Sequence, residues 1–518
     1  MPSNVRPGTL VLGEVTGAAE LVGAIIDRIA DGALADGDRL PSTRALAQQT
    51  GLSRGTVVRA FDELAAAGFV SSRQGSGTRV STGAGLAARA GARTRGAGEA
   101  TLTTGGARTR GAGEAALSVG GARSAGGGTR PGDGAAGEAL SSSPLPEPRR
   151  GRSPRDLRPG VPDAALVDDR AWRSAVRAAA TQGLAGLNPW EEPSPVLRAA
   201  LSGHLRRHRG IGGADPLLFD SSRSAIAALC AAFVVRGEGG SPGPAATAFH
   251  MEDPGYRGAL LMAREQGLDV HFHPVDPDGL DAARLGDAPS IAFTTPAHQY
   301  PLGHRMSVER RVALVEWARR TGSLVIEDDY DGEFRYGVAP LPALATLPGA
   351  EDCVAYVGTS SKSVAPDLRV AWCLPPAGLR REVERWLAVH RRGPSSLPAE
   401  ALGGFMASGA MDRHLARAAR VYSDRRGRLV AALKRECPEL EVTGVEAGLH
   451  LCVMVPGYDD DDVVRALERA GWRTRSLSSQ SARYPVSGLV LSYSRLATRD
   501  ADAFAVALRE VLDAADSG

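Results

Sequence analysis

The sequence has almost no lysine. Lysine and arginine together number 61 among the 518 residues, and the only lysines are Lys362 and Lys434. Arginine stays protonated and is a poor nucleophile, whereas a lysine amine can lose its proton and condense with an aldehyde. Because arginine serves wherever a plain positive charge suffices, a remaining lysine is a candidate for chemistry that a guanidinium cannot perform. Lys434 lies in an ordinary charged helical pattern, which leaves Lys362.

Other scarce features exclude whole classes of protein. The five cysteines are scattered without paired metal-binding spacing, which predicts reduced thiols and no metal site. No run of about 18 apolar residues occurs, and the N-terminus lacks the pattern of a signal peptide. The sequence therefore predicts a cytoplasmic protein without membrane association.

Aromatic residues are absent between Phe69 and Trp172, and within that stretch the segment 91–100 recurs intact at 106–115. Such a segment buries too little apolar surface to offset the entropy cost of ordering it. We therefore predict a flexible low-complexity linker at 81–153, between domains at 1–80 and 154–518. The linker either only connects the two domains, or it also adds a weak, salt-sensitive DNA contact through its excess of basic residues.

Residues 17–80 have the pattern of a small helical unit with a β wing. Apolar residues at helical spacing predict one helix within 18–33, and a second short helix should begin after Ser42. A third helix would bury Val57 and Phe61 on one face, and a glycine turn at 74–77 predicts a short hairpin. This order is that of a winged helix-turn-helix, whose third helix enters the DNA major groove.

Several motifs in this region resemble the GntR-family DNA-binding domain. The resembling segments are GDRLPSTRALA at 37–47, LSRGTV at 52–57, GFV at 68–70 and GSGT at 75–78. The resemblance implies that DNA is contacted by Arg44, Arg54, Thr56 and Arg59. It also implies that the wing at Gly75 approaches the minor groove.

From about residue 165 onward, strand-like and helical segments alternate, which is typical of an α/β fold. Buried strands are predicted at 245–249, 290–294, 324–327, 354–357 and 370–374. A helix is predicted at 308–320, and the sheet should be mainly parallel. Open α/β sheets bind ligands at the carboxyl ends of their strands, so the polar segments that follow the predicted strands are candidates for a site.

Four such segments carry the candidate chemistry, at 252–256, 295–303, 327–336 and 356–363. The third concentrates carboxylates, one of which can hold a pyridine nitrogen protonated, although metal binding is the usual alternative for such a cluster. The fourth places Lys362 among small hydroxyl residues, with Arg369 seven positions further on. A lysine in that setting predicts a Schiff base with pyridoxal 5′-phosphate (PLP).

These segments resemble fold-type-I aminotransferases, and more closely the MocR regulators, which join a GntR-type domain to that fold through a linker. The resemblance implies that Lys362 is the Schiff-base lysine and that Asp328 pairs with the pyridine nitrogen, unless Asp329 or Glu327 takes that place. It implies a smaller α/β subdomain at the C-terminus as well.

The resemblance also assigns the remaining ligand contacts. Tyr330 would bond the phenolic oxygen of the cofactor, and Tyr256 would stack on its ring. The phosphate would be held by Thr359, Ser361 and Arg369. Arg495 would grip the carboxylate of a substrate or effector, unless it is a plain surface charge.

The sequence departs from the family pattern at four places. The glycine and glutamines usual near the first phosphate-binding helix are replaced in the segment SSRSAI at 221–226. Ser360 occupies a position where the family usually has phenylalanine, Ala371 one where it usually has glycine, and Leu302 one where it usually has threonine. None of these changes removes the lysine, so PLP is still expected to bind.

Together these features predict a homodimeric transcription regulator that binds paired DNA half-sites and senses PLP or an amino compound through an aldimine on Lys362. The effector is either the cofactor itself or an amine such as GABA or taurine. One alternative is a working aminotransferase with a DNA-binding appendage. Another is a regulator whose large domain has lost the cofactor and serves only for dimerisation.

Overall fold

The computed structural model describes residues 10, 12–13, 15–66, 69–73, 77–81, 83–89, 155–181, 194–237, 247–336 and 341–516. Most of the predicted linker and Gly75 of the predicted wing lie outside these residues. None of the helices in the described ranges is both long enough and apolar enough to cross a membrane.

The N-terminal residues form three helices and a hairpin. The elements are α1 Ala18–Ala30, α2 Thr43–Thr50, α3 Arg54–Ala66, β1 Val70–Arg73 and β2 Gly77–Val80. The apolar stripe of α1 is buried, as are Val57, Phe61 and Leu64 on the inner face of α3. The predicted winged helix-turn-helix is therefore confirmed.

Three residues mark the ends of α2 and α3 within this unit. The hydroxyl of Ser42 accepts a hydrogen bond from the backbone N–H of Ala45 at 3.2 Å and caps α2. Gly51 ends α2 with φ of 72°, a conformation that costs other residues free energy. The hydroxyl of Ser53 accepts from the backbone N–H of Thr56 at 3.1 Å, so α3 begins directly after the turn.

Order continues beyond residue 80 into the segment predicted as linker. Residues 84–89 are helical, and we label them α4. Ala84, Ala87 and Ala88 are fully buried in the same apolar cluster as side chains of the helix Val308–Thr321. Small side chains at helical spacing thus give this glycine- and alanine-rich stretch one face that can pack closely, which its composition alone did not predict.

The large domain contains ten further helices and thirteen strands among its described residues. The helices are α5 Asp169–Ala180, α6 Pro195–Arg209, α7 Ser222–Gly237, α8 Arg257–Glu265, α9 Val308–Thr321, α10 Ala377–His390, α11 Ser396–Ala407, α12 Ala410–Glu436, α13 Asp460–Arg469 and α14 Ala501–Asp516. The first eight strands are β3 Arg155–Asp156, β4 Leu217–Phe219, β5 Ala248–Asp253, β6 Asp269–Pro274, β7 Ile291–Thr294, β8 Leu324–Asp329, β9 Val354–Thr359 and β10 Ala371–Leu374. The remaining strands are β11 Val442–Thr443, β12 His450–Met454, β13 Trp472–Arg473, β14 Arg475–Ser476 and β15 Gly488–Ser492.

Seven strands make the main sheet in the order β4, β10, β9, β8, β7, β5, β6. The strands β5 to β9 are parallel neighbours, as predicted, and β7, β8 and β9 are buried along their whole length. β10 is antiparallel to β9. The segment between them contains only a single 3-10 turn at Pro366–Leu368, which is too short to carry the chain back across the sheet for a parallel return.

A second, four-stranded sheet lies in the C-terminal part, in the order β11, β12, β15, β14. It packs with α12, α13 and α14, and residues such as Phe504 and Trp472 fill the core between them. The predicted smaller C-terminal α/β subdomain is confirmed.

Candidate functional site

The four polar segments meet at one edge of the main sheet. β5, β7, β8 and β9 are parallel and in register, so that Thr294 is paired with Glu327 and Asp328 with Val357. β10 runs the other way, and its first residue, Ala371, pairs with Thr359. The carboxyl ends of the parallel strands and the start of β10 therefore lie side by side, where α/β sheets bind ligands.

Lys362 lies at this edge, half-buried in the turn after β9. Its Nζ donates to the carbonyl oxygen of Gly160 at 3.0 Å. Burial lowers the pKa of Lys362, whereas the carboxylates of Asp328 and Asp331 act in the opposite direction. Since the net change is downward, the amine loses its proton more readily than an exposed lysine, as a nucleophilic amine requires.

The buried carboxylate of Asp328 has an oxygen without a partner. Oδ1 makes no hydrogen bond to any described residue, and the side chain is 4% exposed. Burial, followed by repulsion from Asp329, raises the pKa of Asp328 to about 7, although Lys362 acts to lower it. An unpaired buried carboxylate oxygen costs free energy, and a protonated ring nitrogen is the kind of group that would satisfy it.

The two neighbouring carboxylates, which the sequence left as alternatives, are already engaged. Asp329 is held by the guanidinium of Arg209 at 2.7 and 2.6 Å and by the hydroxyl of Tyr356 at 2.8 Å. Glu327 accepts from the backbone N–H groups of Leu344 and Ala345 at 3.0 and 3.1 Å. The geometry therefore favours Asp328 over both as the partner of a pyridine nitrogen.

Tyr330 lies beside a buried histidine pair that sequence reasoning missed. His298 Nδ1 lies 3.0 Å from Asp331 Oδ2 and 3.1 Å from the hydroxyl of Tyr330, and the ring of His450 is 4.9 Å from that of His298. In the tautomer whose Nδ1–H donates to Asp331, the hydroxyl proton of Tyr330 is available to a ligand.

Thr359 and Ser361 form a hydroxyl pair at the predicted phosphate position. Their oxygens lie 3.0 Å apart, and the backbone N–H of Ser361 donates to Thr359 Oγ1 at 3.1 Å. The guanidinium of Arg369 is exposed and lies 3.6 Å from a carboxylate oxygen of Asp220, which precedes α7. Asp220 was not singled out from the sequence, and its negative charge competes with a phosphate for Arg369.

Tyr256 is half-buried at the end of β5. Its hydroxyl accepts a hydrogen bond from Arg223 Nε at 3.3 Å, and its ring meets that of Tyr300 edge-on at 6.3 Å. These contacts hold the ring at the sheet edge.

Arg495 follows β15, and its guanidinium lies 3.3 Å from Asp156. Within the part of the chain that the structure describes, no hydrogen bond or ion pair joins Arg495 to Lys362 or Asp328. A carboxylate that bound Arg495 would share the guanidinium with Asp156.

The predicted DNA contacts lie on two helices of the N-terminal unit. Arg44 on α2 and Arg54 and Arg59 on α3 are exposed. Thr56 is half-buried, and its hydroxyl is 2.8 Å from that of Ser53. Exposed guanidinium groups of this kind can contact a DNA backbone or groove, and the individual contacts stay a prediction.

Comparison with known proteins bears on both parts of the chain. Residues 18–80 match the family model described as bacterial regulatory proteins of the gntR family. The pyridoxine biosynthesis transcriptional regulator PdxR of Corynebacterium glutamicum is 28% identical over 497 residues, which cover 95% of this chain and 94% of that protein. The probable rhizopine catabolism regulatory protein MocR of Rhizobium meliloti is 29% identical, with 88% and 85% covered.

Solved structures match the large domain. The kynurenine aminotransferase of Pyrococcus horikoshii, solved in complex with PMP, has a TM-score of 0.62 at 21% identity over 70% of this chain and 91% of its own. The chain joins a gntR-family domain to an aminotransferase fold. This is the combination of domains predicted from the motifs, and the two regulators are matched over 94% and 85% of their own lengths.

Proposed function

We propose that this chain is a transcription regulator that binds double-stranded DNA through its gntR-family domain and holds PLP at Lys362. The observation that carries the cofactor proposal is the buried Asp328 oxygen without a partner, next to a half-buried lysine of lowered pKa. The gntR match and the exposed arginines of α2 and α3 support the DNA proposal. A DNA-binding role is also consistent with the cytoplasmic location, which stays a prediction.

The residues at the sheet edge fit PLP, and each would have a definite role. Lys362 would attach the cofactor, Asp328 would keep its ring nitrogen protonated, and Tyr330 would donate to its phenolic oxygen. Thr359, Ser361 and Arg369 would hold the phosphate, with Asp220 weakening the contribution of Arg369. When bound, PLP supplies an electron sink for chemistry at an amino group.

An amino effector or PLP itself would be the signal, and a homodimer would present two DNA-binding domains to paired half-sites. The effector changes DNA binding only if it binds one arrangement of the dimer more tightly than the other. Since Lys362 and Asp328 are also the groups that turnover needs, transamination is the second candidate. Steady conversion of an amino acid and a 2-oxo acid, lost in Lys362→Ala, would favour it.

The cofactor proposal is tested by absorption spectra of the purified protein with PLP, before and after borohydride reduction. We expect a visible band that depends on Lys362, and after reduction a covalent label at that residue alone. Lys362→Ala should abolish both. Lys434→Ala removes the other lysine, which is exposed, and should change neither.

Because the chain has only two lysines, peptide mapping after reduction gives a clear answer. A label shared between Lys434 and the N-terminal amine, with Lys362 unmodified, would overturn the proposal. Comparison of DNA binding by wild type and Lys362→Ala, with and without PLP, then shows whether the site controls the DNA-binding domains.

The DNA proposal predicts that Arg54→Ala weakens binding to DNA selected by the wild-type protein from a random pool. We expect a loss of about 1–3 kcal/mol and a relaxed preference at the contacted position, if the guanidinium contacts a guanine. Titration by fluorescence anisotropy measures both. Arg28→Ala is the matched control, because Arg28 lies on α1 in an ion pair with Asp31. Equal losses for the two variants would contradict a specific role for Arg54.

A further inference from the structure

Helix α6 carries two histidines one turn apart, which face carboxylates from two other parts of the chain. His208 Nε2 lies 3.0 Å from Asp412 Oδ1 on α12, and His204 Nε2 lies 3.4 Å from Glu333 Oε1. The two imidazole rings are 4.5 Å apart. One potential ligand atom from each of His204, His208 and Asp412 lies within 4.8 Å of the other two. The fold thus brings two imidazoles and a carboxylate together away from the Lys362 site.

The inner part of this cluster is buried and incompletely bonded. His204 is 1% exposed, and its Nδ1 has no hydrogen-bond partner among the described residues, nor has Glu333 Oε2. When Nε2–H of His204 donates to Glu333, Nδ1 is a free lone pair. Metal-binding histidines commonly donate their other ring N–H to a carboxylate in this way. A buried ring nitrogen without a partner is otherwise an unexplained cost.

We propose that His204, His208 and Asp412 bind a divalent transition-metal ion such as Zn²⁺, with Glu333 orienting His204. Two imidazoles and one carboxylate suit Zn²⁺ and leave a coordination position for water, whereas Mg²⁺ and Ca²⁺ prefer oxygen ligands alone. The side chains of His208 and Asp412 are 30% and 39% exposed, so the ion can enter from solvent. Arg207 contacts the other oxygen of Asp412 at 3.2 Å and leaves Oδ1 facing His208.

Sequence analysis predicted no metal site, because the ligands of this cluster are far apart along the chain. His208 and Asp412 are 204 residues apart, so no short metal-binding motif exists. Bound metal would join α6 to α12 directly. Bound metal would also raise the free energy of unfolding. Once the metal concentration exceeds the dissociation constant, this gain grows with the logarithm of their ratio.

The test is a titration of the full-length, tag-free, chelator-treated protein with Zn²⁺ by calorimetry, and with Co²⁺ by visible ligand-field absorption. We expect saturable binding of one ion per chain and a rise in melting temperature. His208→Ala should weaken binding by at least about 100-fold, since even loss of an outer partner of a ligand costs about 10–100-fold. Asp412→Asn, on a different helix, should also weaken it.

His390→Ala is the matched control, because His390 is an exposed histidine outside the cluster, whose ring stacks on Trp386 and lies 2.8 Å from the carbonyl oxygen of that residue. Circular dichroism of each variant without metal verifies that the fold is intact. The proposal is overturned if the wild type shows no saturable binding. It is also overturned if both His208→Ala and Asp412→Asn bind as the wild type does, which would leave these contacts as links between helices only.

Discussion

Arg209→Ala is expected to lower the free energy of unfolding of the large domain by about 3–5 kcal/mol. The guanidinium of Arg209 is buried, grips both oxygens of Asp329 and donates to the carbonyl oxygen of Gly332 at 2.7 Å. Its removal leaves a buried carboxylate with only the hydroxyl of Tyr356 as a partner in this network. Loss of one member of a buried pair is costly because the remaining charge is neither solvated nor compensated.

Urea unfolding followed by tryptophan fluorescence measures this loss. All six tryptophans lie between residues 172 and 472, so the signal reports the large domain and not the winged helix. Arg206→Ala is the control, since Arg206 is an exposed arginine on the same helix and should change stability by no more than about 0.5 kcal/mol. Equal effects of the two substitutions would mean that the Arg209–Asp329 pair contributes little.

The position of this pair also explains why Asp328 is the one of the three consecutive carboxylates that faces Lys362. Asp329 is turned to the opposite side of β8 and tied to α6, since side chains alternate along a strand. Glu327, on the same side as Asp329, is satisfied by two backbone N–H groups. Alternation and the two fixed neighbours leave Asp328 as the carboxylate directed toward Lys362.

Local patterns predicted much of the fold. The helices of the N-terminal unit are set by Ser42, Gly51 and Ser53, residues whose capping and turn preferences act within a few positions. The strands of the main sheet are short apolar runs buried on both faces, which are recognisable without tertiary information.

The features that local patterns left open or missed depend on long-range contacts. The choice among Glu327, Asp328 and Asp329 follows from Arg209, which is 120 residues from Asp329. His450 reaches the site from the second sheet, and its role has no local signature. The burial of one face of α4 depends on its packing in the same apolar cluster as α9, and it could therefore not be predicted from the α4 segment alone.

Asp328→Asn is expected to weaken PLP binding by about 10- to 100-fold, because a charge-assisted hydrogen bond contributes about 1.5–3 kcal/mol. An amide cannot hold the ring nitrogen protonated. Fluorescence titration with PLP measures the change. Asp287→Asn, at an exposed carboxylate paired with Arg320, is the control and should bind PLP as the wild type does. Undiminished affinity in Asp328→Asn would remove Asp328 from the cofactor site.

The same substitution should stabilise the cofactor-free protein at high pH. The pKa of Asp328 is about 7 in the folded chain against 3.8 for the ordinary group, so between these pH values the folded state binds more protons than the unfolded state. Stability therefore falls as pH rises through this window.

Asparagine has no proton to lose. Above pH of about 7 the free energy of unfolding of the variant should therefore exceed that of the wild type by about 1–3 kcal/mol. Urea midpoints of both proteins across this range measure the difference, and parallel pH profiles would contradict it. If Asp328 serves to bind PLP, its replacement by asparagine should raise the stability of the cofactor-free protein and lower its affinity for PLP. Binding sites often contain groups that make the empty protein less stable.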